Sequence, residues 1–242
     1  CAGLGVACAA TAWLCEKKLH PVERHPEEAA KKDRGAHAAL AGAREVFRSP
    51  YLLLIVGIVV GYEFAAAMTD FVVNVVFERA YESQDELAQM FGRVGWIVST
   101  TALVSQVVIV PAFLPSKRLA LMLPPITMAL ATIGLAIVPT VLFAVILSAA
   151  DRGLNYSLQQ TTKETLYVPL TDAQKYKAKA FIDMFVDRAG KALSALALMA
   201  IIAHEGISIT ASLVVALGAL AVWAVCAFGL GRVYARTIAP VV

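Results

Sequence analysis

Long apolar runs, each close to the length of a bilayer core, set the pattern of this chain. They extend from about Tyr51 to Phe77, Leu87 to Leu114, Leu119 to Val138, Val141 to Gln160, Ala180 to Ala203 and Ile207 to Leu230. A spanning helix needs roughly 20 apolar residues, so the pattern predicts six membrane helices. The opening run, Cys1–Cys15, is apolar but shorter, and reads as the end of a truncated transmembrane helix. Residues 16–50 are the one long hydrophilic stretch, with Pro21 and Pro26, and suit a solvated connector whose part from Gly35 to Ser49 forms a surface helix. Short polar turns at Glu78–Glu86, Pro115–Arg118, Pro139–Thr140 and His204–Gly206 and a lysine-rich turn (Lys175, Lys177, Lys179) separate the spans. Pro124-Pro125 is expected to kink the third. The division is therefore 1–15 truncated helix, 16–50 connector, 51–231 six-helix half-bundle and 232–242 tail.

Composition agrees with that pattern. Of 242 residues 59% are hydrophobic and 16% charged, where a soluble domain carries about 25% charged residues. Sixteen of the 21 Lys and Arg fall in the connector, the 115–118 turn, the 163–179 region and the C-terminal tail, while the opposite loops hold only Arg79. The excess of basic loop residues marks the cytoplasmic side, so the connector and the C-terminus are both expected there. The net charge of +3 then belongs to loops on one side and implies no nucleic-acid partner. Cys1, Cys8, Cys15 and Cys226 lie in apolar runs with no ligand-like spacing, so neither a metal nor another cofactor is expected. No Ser/His/Asp set suggests an enzyme, and no catalytic residue is assigned.

The embedded charges are unevenly placed. Spans one, two, four and five carry them; spans three and six carry none. In the first span Glu63, Asp70 and Asn74 share one helical stripe, with Gly61, Ala65, Ala66 and Ala67 small enough for close helix approach. In the fourth, Arg152, Tyr156, Gln159 and Lys163 form a stripe beside Asp151, Asn155 and Thr162. In the fifth, Asp183, Asp187 and Lys191 are one turn apart, with Arg188 beside them. Charges at membrane depth cost roughly 2.5–3.5 kcal/mol each on insertion scales and persist where they pair or line a watery cavity. A basic stripe faced by acids holds a polyanion while keeping its cations paired when empty. The plainer reading is structural: Asp187 with Lys191 as an i,i+4 pair, Asp151 or Asp183 neutralising Arg152 or Arg188, and Asp183 and Asp187 as gate latches. Arg93, near the outer surface, snorkels on that reading.

This distribution resembles the C-terminal half of a major facilitator superfamily transporter: an all-α membrane protein of two six-helix halves around a central cavity. The resemblance implies that residues 1–15 end helix six and that the third and sixth spans face lipid. It also implies that a missing N-terminal half of the same protein supplies the other wall. Tyr156-Ser157, Lys163-Glu164 and Tyr167-Val168-Pro169-Leu170, then Lys175, Lys177, Lys179, Asp183, Arg188, Gly190 and Lys191, resemble the ATP/ADP translocase family of organellar and bacterial nucleotide transporters. That likeness is dense over about residues 150–195 and thinner from Gly61-Tyr62 to Asp70, where the family has glutamate. It implies nucleotide transport across a multi-pass cell membrane, the bacterial inner membrane, by exchange or with protons. Asp70, Arg152, Tyr156, Lys163, Arg188 and Lys191 are the candidates for substrate binding. Glu63, Asp151, Asp183 and Asp187 are the candidates for proton handling or gating. The alternatives are a facilitator for another solute, such as an organic anion taken up with protons on Glu63 and Asp70, and a non-transporting sensor or scaffold.

Overall fold

A computed structural model describes residues 42–113 and 116–238, the side chains of 155, 156, 172, 173 and 235–238 excepted. The sequence expectations for 1–15, for the connector before residue 42 and for the end of the tail lie outside the described residues. So do those for the side chains of Asn155 and Tyr156. Among the described residues every regular element is helical. A short helix over 42–48, inside the stretch expected to be a surface helix, leads into α1, Pro50–Ala80. Ser49 starts α1 by accepting the Leu52 N–H at 3.4 Å, and Pro50 occupies the first turn, where no amide partner is lost.

The remaining helices are α2 (Gln84–Phe113), α3 (Lys117–Ile137), a composite α4, a composite α5, and α6 (Ile209–Ile238). Helix α4 begins as Val141–Ser148, widens into π-type turns at Ala149–Gly153 and Asn155–Gln159, and closes as Gln160–Leu166. Helix α5 runs through Asp172–Phe181, a π-type turn at Ile182–Val186, and Asp187–Glu205. Four stretches are long and apolar enough to cross a membrane: Pro50–Ala80, Gln84–Phe113, Lys117–Ile137 and Ile209–Tyr234. Helices α4 and α5, the expected fourth and fifth spans, are the two that carry both the π-type turns and the clustered charges. Helix α3 passes through Pro124 and Pro125 as one element. There Thr127 donates its hydroxyl to the carbonyls of Leu123 and Pro124 at 2.9 and 3.0 Å.

Helix α1 is the hub. It is apolar on nearly every side, the signature of a helix surrounded by others, and its buried residues run from Leu52 to Phe77. Gly57 and Gly61 let α6 approach closely: a Cβ at Gly61 would sit 3.0 Å from the Trp223 Cβ and 3.2 Å from the Ala219 carbonyl oxygen. On the α5 side, Gly190 packs on the Glu63 Cβ and Cγ, where a Cβ would come within 3.3 Å. Gly153 on α4 likewise admits Thr101 of α2.

The third and sixth spans, expected to face lipid, each bury one side within the bundle and leave apolar residues such as Leu130 and Ile133 of α3 and Val214 and Val225 of α6 exposed. Leu213, Ala216, Leu220, Trp223, Ala227 and Leu230 of α6 are buried, as are Ala120, Leu121, Met128, Ala131 and Leu135 of α3. Of the four membrane-length stretches α2 is the least covered, with Trp96, Leu103 and Val107 exposed. An apolar surface suits a helix seam as well as lipid, which is why the absence of charge did not distinguish the two.

Between α5 and α6, Gly206 adopts φ 70° and ψ −153°, a region in essence confined to glycine. Nothing lies within 4 Å of a Cβ added there, so the penalty for a side chain is purely one of backbone strain. Gly206→Ala is expected to cost about 1–3 kcal/mol, seen as a lower thermal midpoint of the detergent-purified protein.

Candidate functional site: a charged cavity between three helices

A cavity of about 550 Å³ opens between α1, α4 and α5. Helix α1 contributes Tyr62, Glu63 and Asp70; α4 contributes Asp151, Arg152 and Lys163; α5 contributes Asp187 and Lys191. Ala66, Ala67 and Ala195 leave the space between these groups open. The wall thus carries four carboxylates and three cations. Each helix presents its polar stripe here because the stripe recurs at helical spacing, while the rest of its circumference is apolar.

The cations are all held by acids. Arg152 donates to Asp70 at 2.8 Å, joining α4 to α1, with about two-fifths of each side chain exposed to the cavity. Lys191 sits 2.8 Å from Asp187 on its own helix and 3.9 Å from Glu63 on α1. The carboxyls of Glu63 and Asp187 approach one another beside it. Lys163 meets Asp183 at 2.7 Å, joining α4 to α5. One turn further, Lys179 donates to both carboxylate oxygens of Glu164 at 2.7 and 2.8 Å. Tyr51 donates its hydroxyl to the Leu166 carbonyl at 2.7 Å and ties the same end of α4 to α1. Asp151 is the most enclosed acid of the wall, 5% exposed, and shares the cavity lining with Tyr62. Its Oδ1 has no hydrogen-bond partner among the described residues.

Of the residues singled out from sequence, Glu63, Asp70, Asp151, Arg152, Lys163, Asp187 and Lys191 come together around this space. Asp183 lies just beyond, as the partner of Lys163. Arg188 is exposed on α5 and is not part of the cavity lining. Span two, expected to be wet, contributes no residue to the lining; Arg93 and Gln106 are exposed elsewhere on α2. Sequence reasoning gave no role to Tyr62 or to the Glu164–Lys179 pair. Tyr62 was recoverable, since it lies next to Glu63 and two turns before Asp70. The Glu164–Lys179 pair spans a turn, and no periodicity relates residues on two different helices.

Comparison with known proteins identifies the chain. The family model described as TLC ATP/ADP transporter matches residues 89–234, from α2 into α6, a stretch that includes every α4 and α5 residue of the cavity. The ADP,ATP carrier protein 1 of Chlamydia pneumoniae is 24% identical over an alignment of 263 residues, covering 95% of this chain and 50% of that protein. The chain therefore spans about half the length of this curated relative. No solved structure matches. With well over half of its residues matched by the family model, the chain belongs to the TLC ATP/ADP transporter family.

Proposed function

We propose that this chain forms one wall of a nucleotide carrier that works by alternating access, as the C-terminal six-helix half of a major facilitator superfamily transporter. A preceding half of the same protein closes the cavity. Connector and C-terminus face the cytoplasm of a bacterial inner membrane. The single observation that carries this reading is the cavity, where Arg152, Lys163 and Lys191 are each held by a carboxylate. Removing a nucleotide's phosphates from water demands several cationic donors, and guanidinium and ammonium groups supply them. Paired with acids, those cations stay compensated while the cavity is empty. An entering polyanion competes for them and loosens the ties from α1 to α4 and from α4 to α5. The same contest links loading to movement of the helices.

Uptake of labelled ATP and ADP by the full-length protein in intact cells tests this reading. Saturable uptake, displaced by unlabelled nucleotide and indifferent to excess organic anion, is the expected result. A second reading, proton-linked uptake of another organic anion, draws on the surplus of carboxylates over cations in the wall. Uptake of such an anion that excess ATP leaves untouched identifies it.

A further inference from the structure

We propose that Arg118 and Arg232 form a binding site for the phosphate of an anionic phospholipid, at the bilayer surface between the start of α3 and the end of α6. That end of the bundle is the cytoplasmic one on the topology proposed above; the nucleotide reading is not needed for the site. The guanidinium carbon of Arg118 lies 4.7 Å from the centroid of the Phe228 ring, and that of Arg232 lies 4.3 Å from the same centroid. Gly231 leaves room for the Arg118 stem, whose Cγ and Cβ would sit 3.1 and 3.4 Å from a Cβ on that glycine. Two like charges are thereby gathered at one ring, and Lys117 stands beside them in the first turn of α3.

Among the described residues no carboxylate lies within ion-pair distance of Lys117, Arg118 or Arg232. The first turn of α3 holds no acid, and its N-cap Ser116 makes no side-chain capping bond. Lys117 and Arg118 therefore stand at the positive end of a helix dipole, where an anion is favoured and a cation is not. Contact with the ring is a weak attraction at an exposed site and neutralises neither charge. Arginines that only snorkel extend singly into water; here both lie over one ring. Two guanidiniums beside an uncapped helix start suit a phosphate diester, whose oxygens accept paired hydrogen bonds from arginine.

The apolar surroundings favour a lipid over a soluble anion. Val225, one turn before Phe228 on the same face of α6, is 71% exposed, and Leu119, next to Arg118, is 55% exposed. Both belong to membrane-length stretches, Ile209–Tyr234 and Lys117–Ile137, so the acyl chains of a lipid held by its phosphate cover them. Basic pockets between membrane helices at the cytoplasmic surface hold headgroups in this way. A zwitterionic headgroup brings its own cation beside the arginines and binds less well.

The test titrates the detergent-purified full-length protein with phosphatidylglycerol and reads, by native mass spectrometry, the fraction of protein that retains lipid. Wild-type protein is expected to retain phosphatidylglycerol in preference to phosphatidylcholine, with excess inorganic phosphate or ATP leaving the lipid in place. Arg118→Gln combined with Arg232→Gln is expected to weaken retention about 30-fold, each surface arginine contributing about a factor of five. Both side chains are exposed, so their replacement leaves the fold intact, which the thermal midpoint without added lipid checks. Phe228→Leu keeps both charges but loses the ring that gathers them, and retention falls about fivefold. Lys175→Gln combined with Lys177→Gln is the control. It lies at the same end of the bundle, where the Lys177 backbone meets Gly42 ahead of α1, and it stays within about twofold of wild type because distant exposed charges are screened. Undiminished retention in the double arginine variant or in Phe228→Leu overturns the site. So does an equal loss in the lysine control, which reduces the effect to diffuse attraction by basic loops, or the lack of any preference over phosphatidylcholine. Displacement by inorganic phosphate or ATP overturns it as well, by identifying a soluble anion as the occupant. None of these results alters the nucleotide reading, which the uptake of labelled ATP and ADP decides.

Discussion

Arg152→Ala in the full-length carrier is expected to lower nucleotide uptake by about 30- to 100-fold at limiting substrate. The residue joins α4 to α1 through Asp70 at 2.8 Å and lines the cavity. Deleting one partner of an enclosed ion pair costs about 3–5 kcal/mol. About two-fifths of each side chain is exposed here, so solvent screening reduces that figure to about 2–3 kcal/mol. Each 1.4 kcal/mol is a factor of ten, which sets the expected range. Lys163→Ala is expected to fall in the same range through loss of the pair with Asp183 on α5. The combination of Arg152→Gln with Asp70→Asn separates the two roles of the pair. Both charges of the pair are then gone, so Asp70 is not left without its partner. If the arginine only braces α4 against α1, uptake returns; if it binds the anion, uptake stays low although the protein is as stable as wild type.

The second large effect concerns stability. Gly61→Leu is expected to lower the stability of the purified protein by about 3 kcal/mol, at the upper end for overpacked sites. The new side chain meets the Ala219 carbonyl oxygen and the Trp223 Cα at 3.2 Å, and these are backbone atoms that cannot rotate away. Gly218→Leu, on α6 itself, is the control, since nothing lies within 4 Å of a Cβ there. Its expected effect is within about 0.5 kcal/mol. Thermal unfolding in detergent, followed by loss of the monodisperse peak, measures both. Equal effects at the two glycines would mean that α6 does not pack along α1 through Gly61.

Much of the cavity is legible in the chain. The spacing of Glu63 and Asp70, of Arg152 and Lys163, and of Asp187 and Lys191 places each set on one face of its helix, and all six reach the cavity. Arg188 fails the same reasoning for a geometric reason. One residue beyond Asp187, it lies about 100° around the helix, and that rotation carries it to the exposed side of α5. The pairing scheme was harder to reach. Asp151 or Asp183 was the candidate partner of Arg152 or Arg188, yet Arg152 meets Asp70, 82 residues away, and Asp183 meets Lys163.

By itself the sequence determined that the chain is helical and rich in membrane-length apolar runs, that three of its helices carry polar stripes, and that residues 150–195 bear the family's motif. Only the tertiary structure decided which acid holds which cation, that Asp151 is left with an unsatisfied oxygen, and that α6 is buried along α1. The physical reason is the same throughout. Periodicity sets the direction of a side chain around its own helix axis, but the rotation and depth of the neighbouring helix come from packing at small residues such as Gly57, Gly61 and Gly190. A seam between helices and a face toward lipid are equally apolar, so hydrophobicity does not distinguish them.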